Sequence, residues 1–325
     1  MTNPPRVSEL VVFSDPRHVA ARVLLPALAE ELSTRRDLRC SAIVVPAMER
    51  YRARRLRWHG QRLKRRLQVC LGSGRWERAL DLGPVAIESL ASGIGASLLA
   101  IAGGDPNAPE VLRWLDDRPE GAVALNLYCV RRFGSVLLER LALTVNYHNG
   151  RLPTFRGLRA TNGSIYAGEP STGFCFHRMD EGIDSGPVLR CGEVAMAAGD
   201  TAADIELAKV RAAAAMLRDV LDTLSTREAG RPQAGMPCIH SATAFELATR
   251  VEEPSSLSRA EWERRLRAFL RVSTRLNGRW WPVTSLAPCV RGARRSFVTA
   301  DGYCLQICGA DFWPAVLAVG SHRDV

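Results

Sequence analysis

Apolar runs that alternate with helix-like segments limit the possible folds of this chain more than any other feature of its sequence. The apolar runs lie at 9–14, 41–46, 98–103, 122–130 and 143–148. Segments with apolar residues at helical spacing follow three of them, at 17–35, 107–116 and 134–141. Buried parallel strands read as continuous apolar runs, and their alternation with helices indicates a mostly parallel sheet that is covered on both faces. The first part of the chain is therefore predicted to be an α/β domain.

The later part of the chain has a different pattern. An alanine-rich helix is predicted over 202–226, followed by a linker over 228–237 that is rich in Gly and Pro. Another helix should begin near Ser258, because Ser258 and Glu261 have the spacing of a capping box. Short strands follow, and the Asp-Gly pair at 301–302 predicts a hairpin turn.

These patterns divide the chain into three segments. We predict a Rossmann-like α/β domain at 1–205, a helix and linker at 206–238, and a smaller β-containing C-terminal domain at 239–325. Residues 85–104 form the longest weakly polar stretch, but a glutamate and several glycines interrupt it, so a helix followed by a strand is predicted rather than a membrane span. Residues 1–10 lack the apolar core of a signal peptide.

The chain carries a formal net charge of +10. Such a charge favours an anionic partner, for example a nucleotide or an RNA. Nearly all the basic residues are arginines, with lysine only at Lys64 and Lys209. This bias is typical of GC-rich genomes, so the net charge is weak evidence for an anionic partner. The segment 50–66 concentrates basic residues and aromatic rings; we interpret it as a solvated helix face, with phosphate or tRNA binding as the alternative.

Nine cysteines are scattered along the chain without a CxxC pair. An odd number without paired spacing favours free thiols in a reducing compartment, so a cytoplasmic location is expected. Cys304 and Cys308 have no histidine cluster nearby, and Cys175 and His177 share a strand face on which packing is preferred to metal ligation. No metal site is therefore predicted.

The segment 145–190 is the most informative about chemistry. Asn146 and His148 are two residues apart on a predicted strand, so both side chains lie on one face at its carboxyl end, where parallel sheets bind ligands. Asp184 lies in a turn that can return a carboxylate to that edge. Acyl transfer to an amine needs an oxyanion donor, a proton acceptor and a group that orients the acceptor. Taken singly, an Asn-x-His strand or an Asp turn has an ordinary structural explanation; their combination points to this chemistry.

The same segment resembles the signature of the formyltransferase family, which includes methionyl-tRNA, glycinamide ribonucleotide and amino-sugar formyltransferases. The family pattern is N-x-H-P-S-x-L-P-x-Y/F-R-G, then T-G, then D-x-G-P. The matching residues are Asn146, His148, Leu152, Pro153, Phe155, Arg156, Gly157, Thr172, Gly173, Asp184, Gly186 and Pro187. The resemblance implies the formyltransferase fold over about 1–205, 10-formyltetrahydrofolate as the donor, and Asn146, His148 and Asp184 as catalytic residues.

The sequence departs from the family pattern at two places. Asn149 and Gly150 replace the usual Pro-Ser after the histidine, which favours a biosynthetic enzyme over a housekeeping one. The loop 128–133, where the family has a mostly apolar wall for the pterin, contains Arg131 and Arg132. Either these arginines are solvated, or they reach towards the glutamate tail of the folate or the acceptor. The residues expected to bind folate are Tyr128, Cys129, Val130, Arg131, Ile183 and Asp184.

The resemblance implies N-formylation of a primary amine. We expect a small biosynthetic acceptor, such as a nucleotide-linked amino sugar or an amino-acid derivative. The alternatives are a methionyl-tRNA formyltransferase, a formyltetrahydrofolate hydrolase and a non-catalytic basic RNA-binding protein. No membrane partner is expected, and a homodimer is compatible with the sequence.

Two further expectations concern single residues. Trp280 and Trp281 are expected to pack in the core of the C-terminal domain, with stacking on an acceptor base or sugar as the alternative. Added bulk at Gly186 is expected to block the donor site and to leave the fold intact.

Overall fold

The computed structural model describes residues 8–47, 85–118, 121–240, 242–269, 272–290, 293 and 295–308. These residues form two compact units. The first contains the described residues of Met1–Ala160, Ser171–Met196 and Ala203–Ile239, and the second those of Thr161–Pro170, Ala197–Ala202 and His240–Val325. The domain boundaries expected at 205 and 238 stay a prediction. The basic segment 50–66 lies outside the described residues.

The first unit is built on a single large sheet. Its strands are β1 (Ser8–Ser14), β2 (Leu38–Pro46), β3 (Ser97–Ile101), β4 (Val123–Leu127), β5 (Leu143–His148), the short β6 (Arg156–Gly157), β7 (Ser171–Arg178) and β8 (Val188–Ala195). All except β6 form a seven-stranded sheet in the order β3-β2-β1-β4-β5-β7-β8. The first five strands are parallel, and β7 and β8 join as antiparallel strands. The mostly parallel sheet predicted from the apolar runs is confirmed.

Helices cover both faces of this sheet. They are α1 (Val19–Thr34), α2 (Ile87–Gly93), α3 (Pro109–Asp116), α4 (Ser135–Arg140), α6 (Ala202–Ala215) and α7 (Leu217–Ser225), whereas nearly all of α5 (Ala160–Ala167) belongs to the second unit. Leu10 and Val12 of β1 pack with α1 and α7, whereas Val11 and Phe13 pack with α3 and α4. This division follows from the alternation of side chains along a strand. None of the helices in the described ranges is both long enough and apolar enough to cross a membrane.

Two predicted elements end earlier than the apolar pattern suggests. The run 122–130 is a strand only as far as Leu127, because Tyr128 has φ +76° and turns the chain out of the sheet. The helix predicted over 202–226 is two helices, because Met216 is the N-cap of α7 and interrupts the series. In both cases an apolar or alanine-rich pattern continues through a residue at which the regular element ends.

The second unit combines helices with two small sheets. After β9 (Ile239–His240), its elements are α8 (Ala242–Thr249), β10 (Arg250–Val251), α9 (Arg259–Phe269), β11 (Val272–Leu276), β12 (Arg279–Val283), β13 (Ser285–Pro288), β14 (Ser296–Val298) and β15 (Cys304–Cys308). One sheet has the order β10-β11-β12 and the other β13-β15-β14. Trp262 of α9 is fully buried, and its indole N–H donates to the carbonyl of Pro254 at 3.1 Å.

The local signals in this unit predict its elements well. Glu261 Oε2 accepts the backbone amide of Ser258 at 2.8 Å, and Ser258 Oγ accepts the amide of Glu261 at 3.2 Å, so the capping box is confirmed. The Asp-Gly turn at 301–302 joins the antiparallel strands β14 and β15, with Gly302 at φ +84°. A glycine suits this left-handed position because it has no Cβ.

The two tryptophans at the start of β12 are not core residues. Trp280 is 38% exposed, and the guanidinium carbon of Arg250 lies 4.6 Å from its ring centre. Trp281 is half-buried, with the guanidinium carbon of Arg295 at 4.1 Å from its ring centre. The expectation of core packing is therefore wrong for Trp280. Arginine side chains cover aromatic faces in this way because the cation is attracted to the π system.

Two disulfides join cysteines that were predicted to be free. They are Cys175–Cys191 in the first unit and Cys289–Cys304 in the second. Cys175 and Cys191 lie directly opposite each other in the antiparallel pair of β7 and β8, a relation that depends on strand register and not on a sequence motif. The expectation of free thiols is wrong for these four residues. The free cysteines that the structure describes are Cys40, Cys129 and Cys238.

His18 joins the start of α1 to the loop after β4. Its Nδ1 accepts the amide of Ala20 at 3.1 Å and caps the helix, while its ring stacks on Tyr128 with 3.2 Å between ring centres. Burial lowers the pKa of His18 to about 3, against the attraction of Asp15 for the proton. A protonated Nδ1 could no longer accept the Ala20 amide, so the cap requires the neutral ring.

We expect His18→Asn to make the protein less sensitive to acid. The pKa of His18 is lower in the folded chain than its unfolded value of about 6.5, so the unfolded chain binds more protons below that pH and wild-type stability falls on acidification. Asparagine still caps the helix but does not titrate in this range. Thermal unfolding at about pH 7.5 and about pH 5 should show a smaller decrease in Tm for the variant. An equal decrease in the two proteins would contradict this role of His18.

Candidate active site

Asn146, His148 and Asp184 meet at the carboxyl end of β5. Asn146 and His148 are buried on one face of the strand, and Asp184 reaches them from the turn between β7 and β8. Asn146 Nδ2 lies 3.2 Å from Asp184 Oδ1, and His148 Nδ1 lies 3.3 Å from Asp184 Oδ2. Each carboxylate oxygen therefore faces one of the two strand residues.

The carboxylate of Asp184 is held in its charged form. The amide of Gly157 donates to Oδ2 at 2.8 Å. Burial pushes the pKa of Asp184 up, but the two neighbouring imidazoles, His177 and His148, and the amide of Gly157 outweigh burial and lower the pKa to about 2. The backbone of Asp184 has φ +47°, a region that aspartate tolerates better than most residues. Such a conformation persists where the surrounding contacts enforce it, as at many functional sites.

The side chain of Gln233 supports the turn that carries Asp184. Its Nε2 donates to the carbonyls of Asp184 and Gly186, each at 2.8 Å, and its Oε1 accepts two hydrogen bonds from Arg156, the shorter at 2.8 Å. This stretch was predicted to be a linker, and no local signal in the sequence identifies Gln233. A Cβ at Gly186 would collide with the carbonyl of Arg178. The expectation that bulk at Gly186 leaves the fold intact is therefore wrong.

A chain of amides fixes the orientation of Asn146. Asn126 of β4 lies opposite Asn146 in the sheet and donates from its Nδ2 to Asn146 Oδ1 at 2.8 Å. Asn126 Oδ1 in turn accepts the amide of Cys129 at 2.7 Å. Because its oxygen is engaged, the NH₂ group of Asn146 points to Asp184. Asn126 was missed, although an asparagine inside the apolar run 122–130 is a signal that could have found it.

His177 is a second histidine in the site. Its Nδ1 donates to the carbonyl of Arg178 at 2.8 Å, which leaves Nε2 to accept a hydrogen bond from Asn146 Nδ2 at 3.0 Å. His177 Nε2 also lies 3.3 Å from Asp184 Oδ1. The side chain is buried, in line with the packing expected from the sequence, but its polar contacts with two of the predicted residues were not foreseen.

The two nitrogens of His148 have different partners. Nε2 lies 2.6 Å from the carbonyl of Phe155 and therefore carries a proton, because a carbonyl can only accept. Nδ1, beside Asp184, is then the nitrogen that can take a further proton. Burial lowers the pKa of His148, while the negative charge of Asp184 opposes this shift. The neutral ring at neutral pH is thus a base with a carboxylate ready to stabilise its charged form.

Gly150 explains why His148 can occupy this position. A Cβ at Gly150 would lie 2.5 Å from His148 Nε2, 2.5 Å from the carbonyl of Phe155 and 2.6 Å from the Cβ of Ala160. These separations are far below van der Waals contact, so any side chain here would displace the imidazole or its carbonyl partner. The replacement of the family's serine by Gly150 is therefore coupled to the hydrogen bond between His148 and Phe155.

The loop 128–133 and the turn that carries Asp184 are joined by Arg132, whose guanidinium donates to the carbonyl of Glu181 at 2.6 Å. Arg131 is exposed. Two apolar side chains on these segments are also exposed: Val130 at 63% and Ile183 at 53%. Exposed aliphatic side chains next to a polar site are typical of ligand-binding surfaces. Within the described ranges, no group of three His, Cys, Asp or Glu side chains is arranged to hold a metal ion.

Residues 121–221 match the family model described as formyl transferase. The methionyl-tRNA formyltransferase of Clavibacter michiganensis subsp. michiganensis is 31% identical over 175 residues, which cover 52% of this chain and 54% of that protein. The GDP-perosamine N-formyltransferase of Brucella melitensis biotype 1 is 34% identical over 92 residues, which cover 28% of this chain and 36% of that protein. The chain spans about half the length, or less, of these curated relatives.

Solved structures show the same fold. An N-formyltransferase from Helicobacter canadensis, described in complex with folinic acid and dTDP-3-aminofucose, superposes with a TM-score of 0.54 at 12% identity and covers 93% of this chain and 98% of that one. The segment that matches the family model contains Asn146, His148 and Asp184 together with the supporting residues Asn126 and His177.

We expect Gly150→Ser to damage the site, although serine is the residue usual in the family pattern. The new Cβ would force His148 Nε2 and the carbonyl of Phe155 apart. A misplacement of about 1 Å in a catalytic group costs about 100-fold in rate. The initial rate with formylated folate and an amine should fall by about 10- to 100-fold, while circular dichroism shows a folded protein. Wild-type rates in the variant would show that His148 does not depend on this contact.

Proposed function

We propose that this chain is an enzyme that transfers a formyl group from 10-formyltetrahydrofolate to a primary amine, on the basis of its similarity to the formyltransferase family over residues 121–221. The observation that supports this most strongly is that the carboxylate of Asp184 lies within 3.3 Å of both the amide of Asn146 and the imidazole of His148. These are the three groups that acyl transfer to an amine requires. A protein that only binds RNA has no need of them together.

The proposed reaction needs no covalent enzyme intermediate. The amine nitrogen forms a bond to the formyl carbon, and the carbonyl oxygen becomes an oxyanion that accepts a hydrogen bond from Asn146 Nδ2. His148 Nδ1 takes the proton released by the amine, and Asp184 stabilises the resulting imidazolium at 3.3 Å. The oxyanion then collapses to a carbonyl, the bond between the formyl carbon and N10 of the folate breaks, and the proton held by His148 passes to N10. A neutral imidazole suits this role because burial lowers the pKa of His148.

The donor pocket is proposed to lie between the loop 128–133 and the turn that carries Asp184. A flat, polar pterin is bound by backbone groups of rigid segments, and Arg132 fixes the two segments to each other at Glu181. The side chains and backbone proposed to line it are those of Tyr128, Cys129, Val130, Arg131, Ile183 and Asp184. One face of the Tyr128 ring is already covered by His18, so Tyr128 is proposed to contribute through its backbone.

The proposed acceptor is a small biosynthetic amine, either on a nucleotide-linked sugar or on an amino-acid derivative. The similarity to a GDP-perosamine N-formyltransferase supports this choice. Methionyl-tRNA is the second candidate, because a methionyl-tRNA formyltransferase is similar over 52% of the chain and the net charge is +10. Hydrolysis of the formylated folate uses the same three residues with water in place of the amine. A cytoplasmic location and a catalytic domain over 1–205 are part of this proposal.

One assay separates these functions. The protein is incubated with 10-formyltetrahydrofolate alone, with each member of a panel of amino sugar nucleotides and amino acids, and with methionyl-tRNA, and release of tetrahydrofolate is followed. We expect release only when a small amine is present. Release without any amine would identify a hydrolase, and release only with methionyl-tRNA would identify the second candidate. No release under any condition, together with no thermal shift by a stable folate analogue, would exclude a folate-dependent enzyme.

We expect Asn146→Ala, His148→Gln and Asp184→Asn to fold and to lose most of this activity. Loss of an oxyanion donor costs about 100- to 1000-fold in kcat, and loss of a general base costs a similar factor. Glu193→Gln is a suitable control, because Glu193 lies on β8 and forms an exposed ion pair with Arg151. Steady-state kinetics at saturating donor should give near-wild-type rates for the control. A rate within a few-fold of wild type for any of the three variants would remove that residue from the mechanism.

A further inference from the structure

A second cluster of buried and half-buried polar groups lies directly behind the proposed base. Tyr147 points to the opposite face of β5 from its neighbours Asn146 and His148, and Asn149 follows the end of the strand. On that side, α6 presents Glu206 and Lys209, three residues apart and therefore on one helix face. The proposed reaction does not use any of these charged groups.

Lys209 is attached to the residue that follows His148. Its side chain is fully buried, and its Nζ donates to the carbonyl of Asn149 at 2.6 Å. Asn149 Nδ2 donates to Glu206 Oε1 at 3.1 Å. Helix α6 therefore binds both the backbone and the side chain of Asn149. A fully buried lysine is rare in proteins and is expensive to maintain unless it has a partner or a function.

The contacts of Lys209 and Glu206 fall on a residue at which this chain departs from the formyltransferase pattern. Asn149 stands where the formyltransferase pattern has a proline, whose ring restricts the backbone by itself. Gly150, the next residue, is the least restricted of all residues and must let His148 approach closely. Without an external support, the Asn149-Gly150 pair would allow the backbone after His148 to move. Contacts from α6 provide that support.

We propose that Lys209 is a positioning residue for His148 that, together with Glu206, fixes the turn against which the imidazole packs. The inference rests on the proposed function insofar as His148 is the base, but its contacts exist whatever the acceptor is. Lys209 touches neither substrate nor reacting atoms; it acts through Asn149.

The charge of Lys209 also reaches His148. The ammonium is one of the groups that lower the pKa of His148, after burial, and so favours the neutral ring. Burial lowers the pKa of Lys209 itself to about 7, with Glu206 opposing this shift and Arg151 adding to it. Glu206 has its pKa raised by burial, against Lys209 and the hydrogen bond from Asn149.

The other titratable groups around Glu206 come from three elements. His18 at the start of α1 has its Nε2 at 4.0 Å from Glu206 Oε2. Burial raises the pKa of Tyr128, and the negative charge of Glu206 raises it further. The same two effects raise the pKa of Tyr147. Because both tyrosines stay protonated and His18 stays neutral at neutral pH, Lys209 and Glu206 are the groups of this cluster that determine its charge.

The test compares Lys209→Met and Glu206→Gln with the surface control Glu228→Gln, whose side chain pairs with Arg190. Methionine keeps the length of the lysine stem without its charge or donor. Glutamine keeps an acceptor for Asn149 but attracts the ammonium less. Two measurements are made on the full chain: the pH dependence of kcat, and an NMR titration of the histidines, in which the signal of His148 is assigned with His148→Gln.

We expect Lys209→Met to lower kcat by about 10- to 100-fold with little change in the KM of the folate, because the base is misplaced and the donor site is not. Removing a positive charge near His148 raises its pKa, so the NMR midpoint and the rising limb of the kcat profile should both move to higher pH. Glu206→Gln should produce a smaller shift in the same direction, because Lys209 then loses its proton more readily. The control should match wild type.

A loss of rate that is equal at every pH, with an unchanged NMR midpoint, would show that the pair serves stability alone and would overturn the proposal. Wild-type kinetics in Lys209→Met would overturn it as well. If Lys209→Met does not fold, Glu206→Gln decides by the same two criteria. If the wild-type protein transfers no formyl group, the proposed function fails, while the NMR midpoints still determine whether Lys209 controls His148.

Discussion

The geometry of the whole site depends on the buried carboxylate of Asp184. Its oxygens lie within 3.3 Å of Asn146, His148, His177 and the amide of Gly157. A buried charge is stable only where donors and opposite charges compensate the lost hydration. These partners come from β5, β7 and the loop between them, so the carboxylate is satisfied only when the sheet and both connecting segments are folded. The site is thus a consequence of the completed fold and not of any one motif.

Much of the fold could be predicted from the sequence, because buried parallel strands leave a continuous apolar signal. The strand at 143–148 has the predicted bounds, and the helix-then-strand interpretation of 85–104 corresponds to α2 and β3. The prediction failed where the end of an element depends on backbone direction, or where a contact depends on strand register. Tyr128 ends β4 within an apolar run because of its positive φ, and Cys175 meets Cys191 because of the pairing of β7 with β8. Neither relation has a local pattern.

The site divides in the same way. Asn146, His148 and Asp184 could be named from spacing and from the family pattern, since residue type and order along the chain indicate their proposed chemistry. Asn126 stands out in the sequence only as an asparagine inside an apolar run, and Gln233 does not stand out. The role of neither could be predicted, because each acts on a residue at least 20 positions away that only the folded chain brings near. Lys209 was noticed only as one of two lysines. Residues that react are constrained by chemistry, whereas residues that position them are constrained by tertiary contacts, which a single sequence does not display.

For the proposed reaction, the hydrogen bonds of the site indicate how charge would move between Asn146, His148 and Asp184. Both hydrogens of Asn146 Nδ2 are engaged, one by His177 Nε2 and one by Asp184 Oδ1, so the amide must exchange a partner to bind an oxyanion. When the Asn146 amide no longer donates to Asp184, the carboxylate loses a neutral donor. At the same stage His148 Nδ1 gains a proton and becomes a charged donor at 3.3 Å from the other oxygen. A charge-assisted hydrogen bond is about twice as strong as a neutral one, so the exchange leaves Asp184 better compensated than before. The same exchange follows whether the nucleophile is an amine or water. Selection between them therefore has to come from residues outside this group of three.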